Sequence, residues 1–142
     1  MTLPFAFEPG EWLEREPRAV YEEGAVFGAA AGDHDPRVVP QLTVAWLDEP
    51  DGVALEDVVE EDVVRLLSDP GDVVVDHEEV RLGEVEAVRT FVLRVGGVPT
   101  ASEQWRLLAG GRRWAVAATT ALADQPEWGP RLAAVAATFR VR

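Results

Sequence analysis

The chain has 142 residues, no cysteine and a formal net charge of −13 at pH 7. This length suits one domain over residues 1–142 that buries most of its apolar surface without cross-links. The lack of cysteine excludes disulfide and thiolate chemistry. A large negative charge repels phosphate groups and anionic lipid, which disfavours nucleic-acid binding and docking on a membrane surface.

The basic residues are 13 arginines, and lysine, isoleucine and asparagine are absent. Such usage is typical of a GC-rich bacterial genome, for example that of an actinobacterium, and says little about function. The amino-terminal segment lacks the basic region, apolar core and cleavage site of a signal peptide. No apolar run approaches the roughly 20 residues needed to cross a bilayer. These features predict a cytoplasmic protein without membrane insertion.

Short strands are predicted in the first third of the chain. Leu3, Phe5 and Phe7 alternate with other residues, and Pro9-Gly10 ends this strand. Residues 18–31 have the pattern of a hairpin or a pair of strands around a central glycine. Residues 38–47 alternate in a way that predicts another strand with one mostly apolar face.

The clearest helix is predicted over residues 54–68. Its apolar positions recur at the 3.6-residue period and form one stripe. These positions are Leu55, Val58, Val59, Val63, Leu66 and Leu67, with Glu56, Asp57, Glu60 and Glu61 on the far side. The sequence Asp69-Pro70-Gly71 stops the helix, and a strand with an acidic continuation starts at Val73.

Three strands over residues 85–95, 101–109 and 112–120 form the centre of the predicted sheet. Gly110-Gly111 predicts a tight hairpin, because both central positions of a type I′ turn need positive φ. With these two glycines as the loop, Trp105 faces Val116 on the neighbouring strand.

A terminal helix is predicted over residues 125–139. Asp124 and Glu127 have the spacing of a capping box. Trp128 and Phe139 are expected to be buried against the sheet, at roughly 25 cal/mol per Å² of apolar area.

Charge is distributed unevenly along the chain. Residues 48–80 contain 13 acids and one arginine, whereas residues 81–142 contain nine arginines and five acids. The acidic helix face is either a solvated surface or a docking surface for a basic partner. We expect it to be exposed and unpaired with the arginines of the second half of the chain; ion pairs from Arg89, Arg94 or Arg106 would weaken the docking hypothesis.

Catalytic, cofactor and metal sites are not predicted. His34 and His77 have neighbouring carboxylates, but neither has the spacing of a calcium loop or a zinc motif. Ser68 and Ser102 are the only serines, and neither lies in the context of a nucleophile elbow.

Five tryptophans remain to be placed. Packing of the sheet against its helices is the simplest interpretation. Trp105 or Trp114 on an uncovered sheet face would instead mark an apolar binding groove.

The order of these elements resembles the PsbP-like fold, including bacterial families of unknown function. The resemblance rests on short stretches: Pro9, Gly10 and Trp12, Leu82-Gly83, Ala87 to Thr90, Gln104, Gly110-Gly111, Trp114 to Thr119, and Ala137 to Arg140. It implies an α+β fold, with an antiparallel sheet of about six strands flanked by helices as an α/β/α sandwich. Known members are mostly not enzymes and include photosystem II extrinsic proteins, Ran-binding Mog proteins, lipoproteins and secretion chaperones. The chain lacks the lipobox cysteine of the lipoprotein members.

Three functional hypotheses follow. The leading one is a non-enzymatic cytoplasmic protein-interaction module, such as an adaptor or chaperone for a secreted or membrane-associated partner, with homodimer formation as its simplest form. Its candidate contact residues are Glu56, Asp57, Glu60, Glu61, Trp105 and Trp114. The second is a carrier of a small apolar ligand, which an apolar cavity under the terminal helix would favour. The third is an enzyme with polar groups converging near His34 or His77.

Overall fold

The computed structural model describes residues 4–8, 19–21, 24–29, 33–49 and 52–142. Pro9, Gly10 and Trp12, which contribute to the PsbP-like resemblance, lie outside these residues. None of the helices within the described ranges combines the length and apolar character that crossing a bilayer requires.

Strands and helices follow the predicted order, except that the short final strand was not predicted. The strands are β1 (Phe5–Ala6), β2 (Ala19–Tyr21), β3 (Gly24–Ala29), β4 (Gln41–Asp48), β5 (Asp72–Leu82), β6 (Val85–Arg94), β7 (Thr100–Ala109), β8 (Arg112–Ala121) and β9 (Arg140–Val141). The helices are α1 (Leu55–Leu67) and α2 (Gln125–Ala136), with a 3-10 turn at Leu122–Asp124 before α2. Both predicted helices are confirmed, although α2 ends three residues earlier than expected.

The described strands form an antiparallel seven-stranded sheet in the order β2-β3-β4-β8-β7-β6-β5, and β1 pairs with β9. The α+β class and the antiparallel sheet are therefore confirmed. The sheet has one strand more than the expected six. The additional strand is the short β2, which pairs with β3 at one edge.

The β7–β8 hairpin at the centre of the sheet and the β5–β6 hairpin at its edge use glycine where the backbone requires it. Gly110 and Gly111 have φ of 61° and 72°, as a type I′ turn demands. Ala109 then faces Arg112, and Trp105 faces Val116, which confirms the predicted register. Gly83, with φ of 62°, begins the two-residue loop between Leu82 and Val85.

Helix α2 covers one face of the sheet, which we call the α2 face. Val44, Trp105, Trp114 and Val116 share this face through their cross-strand pairs and are almost fully buried. Leu132 and Val135 of α2 belong to the same core. Trp128 and Phe139 retain only 1% and 5% of their exposure, so their predicted burial is confirmed.

The predicted capping box at the start of α2 is wrong. Asp124 makes no side-chain hydrogen bond to the first turn of the helix. Its Oδ2 instead accepts a hydrogen bond from the backbone N–H of Asp35 at 2.7 Å, which ties the loop after β3 to the start of α2. The carboxylate that the local pattern assigned to the helix end thus accepts a hydrogen bond from a residue far away in the chain instead.

Helix α1 lies against the opposite face, which we call the α1 face. Val58 and Val59 are its buried residues, whereas Leu67, which belongs to the predicted apolar stripe, is 51% exposed. The helix therefore buries a narrower stripe than its sequence pattern predicts. The sheet beneath its second half is polar, and this arrangement positions the candidate site.

Candidate functional site: an acidic groove beside helix α1

A buried arginine of the sheet, Arg106, links the sheet to the second half of α1. Arg106 Nε donates to Asp62 Oδ2 of α1 at 3.0 Å, and its Nη2 donates to Gln104 Oε1 at 2.8 Å. Its Nη1 is buried and has no hydrogen-bond partner among the described residues. The contact between α1 and the sheet is thus partly ionic.

Other arginines of β6 and β8 also pair with acids of residues 48–80. Arg113 Nε donates to Glu49 Oε2 at 2.7 Å, and its Nη1 lies 3.8 Å from Glu61. The hydrogen bond to Glu49 raises the pKa of Arg113. Arg94 binds Asp72 with two donors at 2.8 and 3.0 Å, which lowers the pKa of Asp72 and raises that of Arg94.

A third ionic cluster lies on the α2 face near the edge of the sheet. The guanidinium of Arg89 contacts Glu103 at 2.6 Å, Asp76 at 2.9 Å and Glu78 at 3.5 Å. Burial alone would lower the pKa of Arg89, but the hydrogen bonds to Glu103 and Asp76 outweigh burial and raise it. One cation shared by three carboxylates leaves this cluster with excess negative charge.

The expectation that the acidic face of α1 is unpaired with the arginines of the second half is therefore wrong for Glu61, and Asp62, which was not assigned to that face, is paired as well. Glu61 contacts Arg65 and Arg113, and Asp62 contacts Arg106. The physical reason is that the polar α1 face presents arginines directly beneath the helix. Much of the charge segregation along the sequence is thereby balanced within the molecule.

Three acids at the start of α1 behave as expected. Glu56, Asp57 and Glu60 are exposed, and within the described ranges none of them forms an ion pair. Glu56 and Asp57 lie in the first turn, where the helix dipole favours negative charge. These residues therefore present uncompensated negative charge to solvent.

A groove of about 340 Å³ continues this negative surface from α1 to the sheet. We call it the acidic groove, and its lining residues are Leu55, Glu56, Glu79, Val80, Arg81, Glu86, Ala87 and Val88. Three of them are carboxylates, and Arg81 is their only cation. Arg81 Nη2 donates to the backbone oxygen of Glu84 at 2.6 Å. The groove thus combines aliphatic walls with a net negative rim.

Trp105 and Trp114 lie in the core under α2, with 6% and 2% of their surface exposed. The indole N–H of Trp114 donates to the backbone oxygen of Ala109 at 2.9 Å. Their side chains therefore serve packing in this structure and do not form an accessible apolar face.

Aromatic side chains occupy the space between α2 and the sheet. Phe5 packs against Trp46, Trp114 and Phe139 at centroid distances of 5.6, 6.1 and 6.1 Å, and Phe7 packs against Phe139 at 5.4 Å. An apolar cavity in this position would have favoured the ligand-carrier hypothesis. In the described residues, the aromatic cluster packs in that position.

The histidines and serines considered in the sequence make local contacts. His34 Nδ1 lies 2.8 Å from the backbone oxygen of Asp35, and His77 Nδ1 lies 3.2 Å from Thr90 Oγ1. Ser102 Oγ lies 3.1 Å from Thr119 Oγ1, and Ser68 Oγ donates to Arg65 O. In the part of the chain that the structure describes, no three metal-ligating side chains converge.

The sequence indicated the acidic segment Asp48 to Glu79 as a candidate surface, but Glu79 was not among the candidate contact residues and Glu86 was missed; both complete the groove. Their placement could have been inferred from the loop at Gly83. With Leu82 opposite Val85, Arg81 faces Glu86 and Glu79 faces Val88, so all four side chains share the α1 face.

Several solved structures have the same architecture. A Pseudomonas aeruginosa protein of unknown function, considered a candidate regulator, matches with a TM-score of 0.71 at 16% identity, over 96% of this chain and 98% of its own. The LpqN protein, involved in cell envelope biogenesis of Mycobacterium tuberculosis, gives a TM-score of 0.69 at 12% identity, over 96% and 82%. The cyanobacterial PsbP protein CyanoP from Synechocystis gives 0.63 at 14% identity, over 98% and 82%.

The fold is PsbP-like. At these identities the likeness concerns the fold alone. No protein-family model matches the chain, and no curated protein matches it. The PsbP-like scaffold thus explains the order of strands and helices, and arguments about function depend on the chain's own surface.

Proposed function

We propose that this PsbP-like chain is a non-enzymatic protein-interaction module that binds a basic partner through the start of α1 and the acidic groove. One observation carries the proposal. Arg106 and Arg113 of the sheet pair with Glu49 and with acids of the second half of α1. Glu56, Asp57 and Glu60 at its start stay exposed and unpaired within the described ranges. Complementary charge of this kind increases association rates and selects against acidic partners.

The partner would present arginine or lysine side chains. An adaptor or chaperone for a secreted or membrane-associated protein fits this description, and the PsbP-like fold also occurs in a protein of cell envelope biogenesis. The cytoplasm remains the location that the sequence predicts, and fractionation of the native host tests it. Homodimer formation through the acidic groove is disfavoured, because two copies would bring like charges together.

Affinity capture with three baits tests this proposal. The baits are the native chain, a variant with Glu56→Gln, Asp57→Asn and Glu60→Gln, and a control with Glu8→Gln, Asp48→Asn and Glu127→Gln. The control changes the net charge equally but at exposed acids outside the groove. We expect a stoichiometric basic partner with the native and control baits and its loss with the α1 variant. Equal capture by all three baits, or no partner at all, contradicts the proposal.

A further inference from the structure

Strand β5 is an edge of the sheet in the described structure. It is 11 residues long, and among the described residues only β6 pairs with it. Such an edge presents backbone N–H and C=O groups that no strand pairs with. In β5 a bulge between Val74 and Asp76 interrupts the row, and the N–H of His77 donates to Asp76 Oδ1, so the regular part of the edge lies beyond the bulge. Most of its side chains are exposed, including Val73 at 47% and Val75 at 56%. The strand is therefore long and open enough to accept another strand.

Acidic side chains flank this edge on both faces. Asp76 and Glu78 point to the α2 face, where they share the single guanidinium of Arg89 with Glu103. Glu79 points to the α1 face and lines the acidic groove. An extended segment along β5 would place alternate side chains beside one set of carboxylates or the other.

The acidic groove lies directly beside this edge and suits a long basic side chain. Leu55 and Val88 offer aliphatic surface, while Glu56, Glu79 and Glu86 supply charge. Arginine and lysine bury their methylene stems on such surfaces and keep the charged group at the polar rim. Hydrogen bonds between a guanidinium and carboxylates are stronger than neutral ones.

We propose that a basic, extended segment of the partner adds to the sheet as an eighth strand along β5, with an arginine or lysine side chain in the acidic groove. This inference rests on the proposed function and specifies how the partner binds. A second copy of this chain is the less favourable occupant, because antiparallel pairing of two β5 strands would bring their acids face to face. Backbone pairing gives affinity and the groove gives selectivity for basic side chains.

Two synthetic peptides separate strand addition from charge attraction. The first is a short peptide of alternating arginine and threonine. The second has the same sequence with a methyl group on every backbone nitrogen, which keeps the charge and removes the donors needed for strand pairing. Binding of both to the native chain is measured by isothermal titration calorimetry, and amide chemical shifts locate the contact.

The matched variants are Glu56→Gln, Glu79→Gln and Glu86→Gln together, and the control set Glu8→Gln, Asp48→Asn and Glu127→Gln. We expect the unmethylated peptide to bind the native and control chains, to shift the amides of residues 72–82, and to bind the groove variant at least about tenfold more weakly. We expect the methylated peptide to bind the native chain about tenfold more weakly than the unmethylated peptide does.

Equal binding of both peptides overturns strand addition but leaves a charged docking surface, so the proposed function survives. Equal weakening in the groove and control variants shows unspecific charge attraction and overturns the groove assignment. If neither peptide binds while a basic partner is captured from the host, the extended mode is wrong and the interaction module stands. If no basic partner is captured either, both proposals fail.

Discussion

At the residue scale, Arg106 connects α1 to the sheet through a largely buried ion pair. Only 9% of its side chain and 19% of that of Asp62 are exposed. Truncation to Arg106→Ala removes the hydrogen-bonded partner of Asp62 and leaves this largely buried carboxylate with only the 3.8 Å contacts to Arg65 and Arg113. Breaking such a pair from one side costs about 3 kcal/mol of unfolding free energy. Urea denaturation of the two chains measures the difference.

The double variant Arg106→Met with Asp62→Leu distinguishes ionic from packing effects. Because it removes both charges and keeps similar volumes, we expect it to recover most of the stability lost in Arg106→Ala. A double variant as unstable as Arg106→Ala would show that the polar contact itself, including the hydrogen bond to Gln104, holds α1 in place.

Asp72 makes the stability of the fold depend on acid pH. Its hydrogen bonds from Arg94 lower the pKa of the folded carboxyl below the ordinary value of 3.8. The stabilisation is therefore present above 3.8 and is lost as the pH falls through the lower pKa of the folded state. We expect Asp72→Asn to be less stable than the native chain at pH 6 and to lose less stability between pH 4 and pH 2. Urea denaturation of the native chain and of Asp72→Asn at several pH values across this range measures both slopes.

At the scale of elements, the hairpin between β7 and β8 depends on its two glycines. Gly111 has φ of 72°, and a Cβ added there would meet nothing within 4 Å. Gly111→Ala therefore isolates the backbone cost of the left-handed conformation, about 1 kcal/mol of unfolding free energy. Gly96→Ala is the control, since Gly96 lacks positive φ and also has open space around it. Thermal or urea denaturation should show Gly111→Ala destabilised and Gly96→Ala unchanged; equal effects would contradict the argument.

This hairpin was predictable because its determinants are local. Two glycines between alternating strands fix the turn type and thus the pairing of Trp105 with Val116. The hydrogen bond from the backbone N–H of Asp35 to Asp124 was not predictable, because the two residues are 89 positions apart in the chain. Local patterns cannot show which distant backbone group competes for a carboxylate.

The packing of α1 is a second feature that local sequence patterns could predict only in part. Its apolar stripe correctly predicted an amphipathic helix. The pattern could not show that the opposing sheet carries Arg106, Gln104 and Ser102, since that depends on strand order. The pairing of Glu61 and Asp62 with arginines follows from this packing, and so does the smaller set of free acids at the start of α1.

At the scale of the whole molecule, the α1 face is largely ionic, whereas the α2 face carries the aromatic cluster and, near the β5 edge, the ionic cluster of Arg89. The α1 face holds Arg94, Arg106 and Arg113 with their acidic partners. The space beneath α2 holds the aromatic cluster. A basic partner is therefore attracted to the side of α1 and to the β5 edge, while the α2 side stabilises the fold.

Phe5 tests how strongly that aromatic cluster holds the two ends of the described structure together. It lies in β1, pairs with Val141 of β9, and is 1% exposed between Trp46, Trp114 and Phe139. Phe5→Ala leaves a cavity and should cost about 4 kcal/mol of unfolding free energy, whereas Phe5→Leu should cost about 1 kcal/mol. Val64→Ala, at a residue 64% exposed on α1, is the control and should change little. Urea denaturation followed by tryptophan fluorescence measures all three. A cost below about 1 kcal/mol for Phe5→Ala would mean that β1 can leave the core without loosening it, so that α2 alone would hold the aromatic face of the sheet.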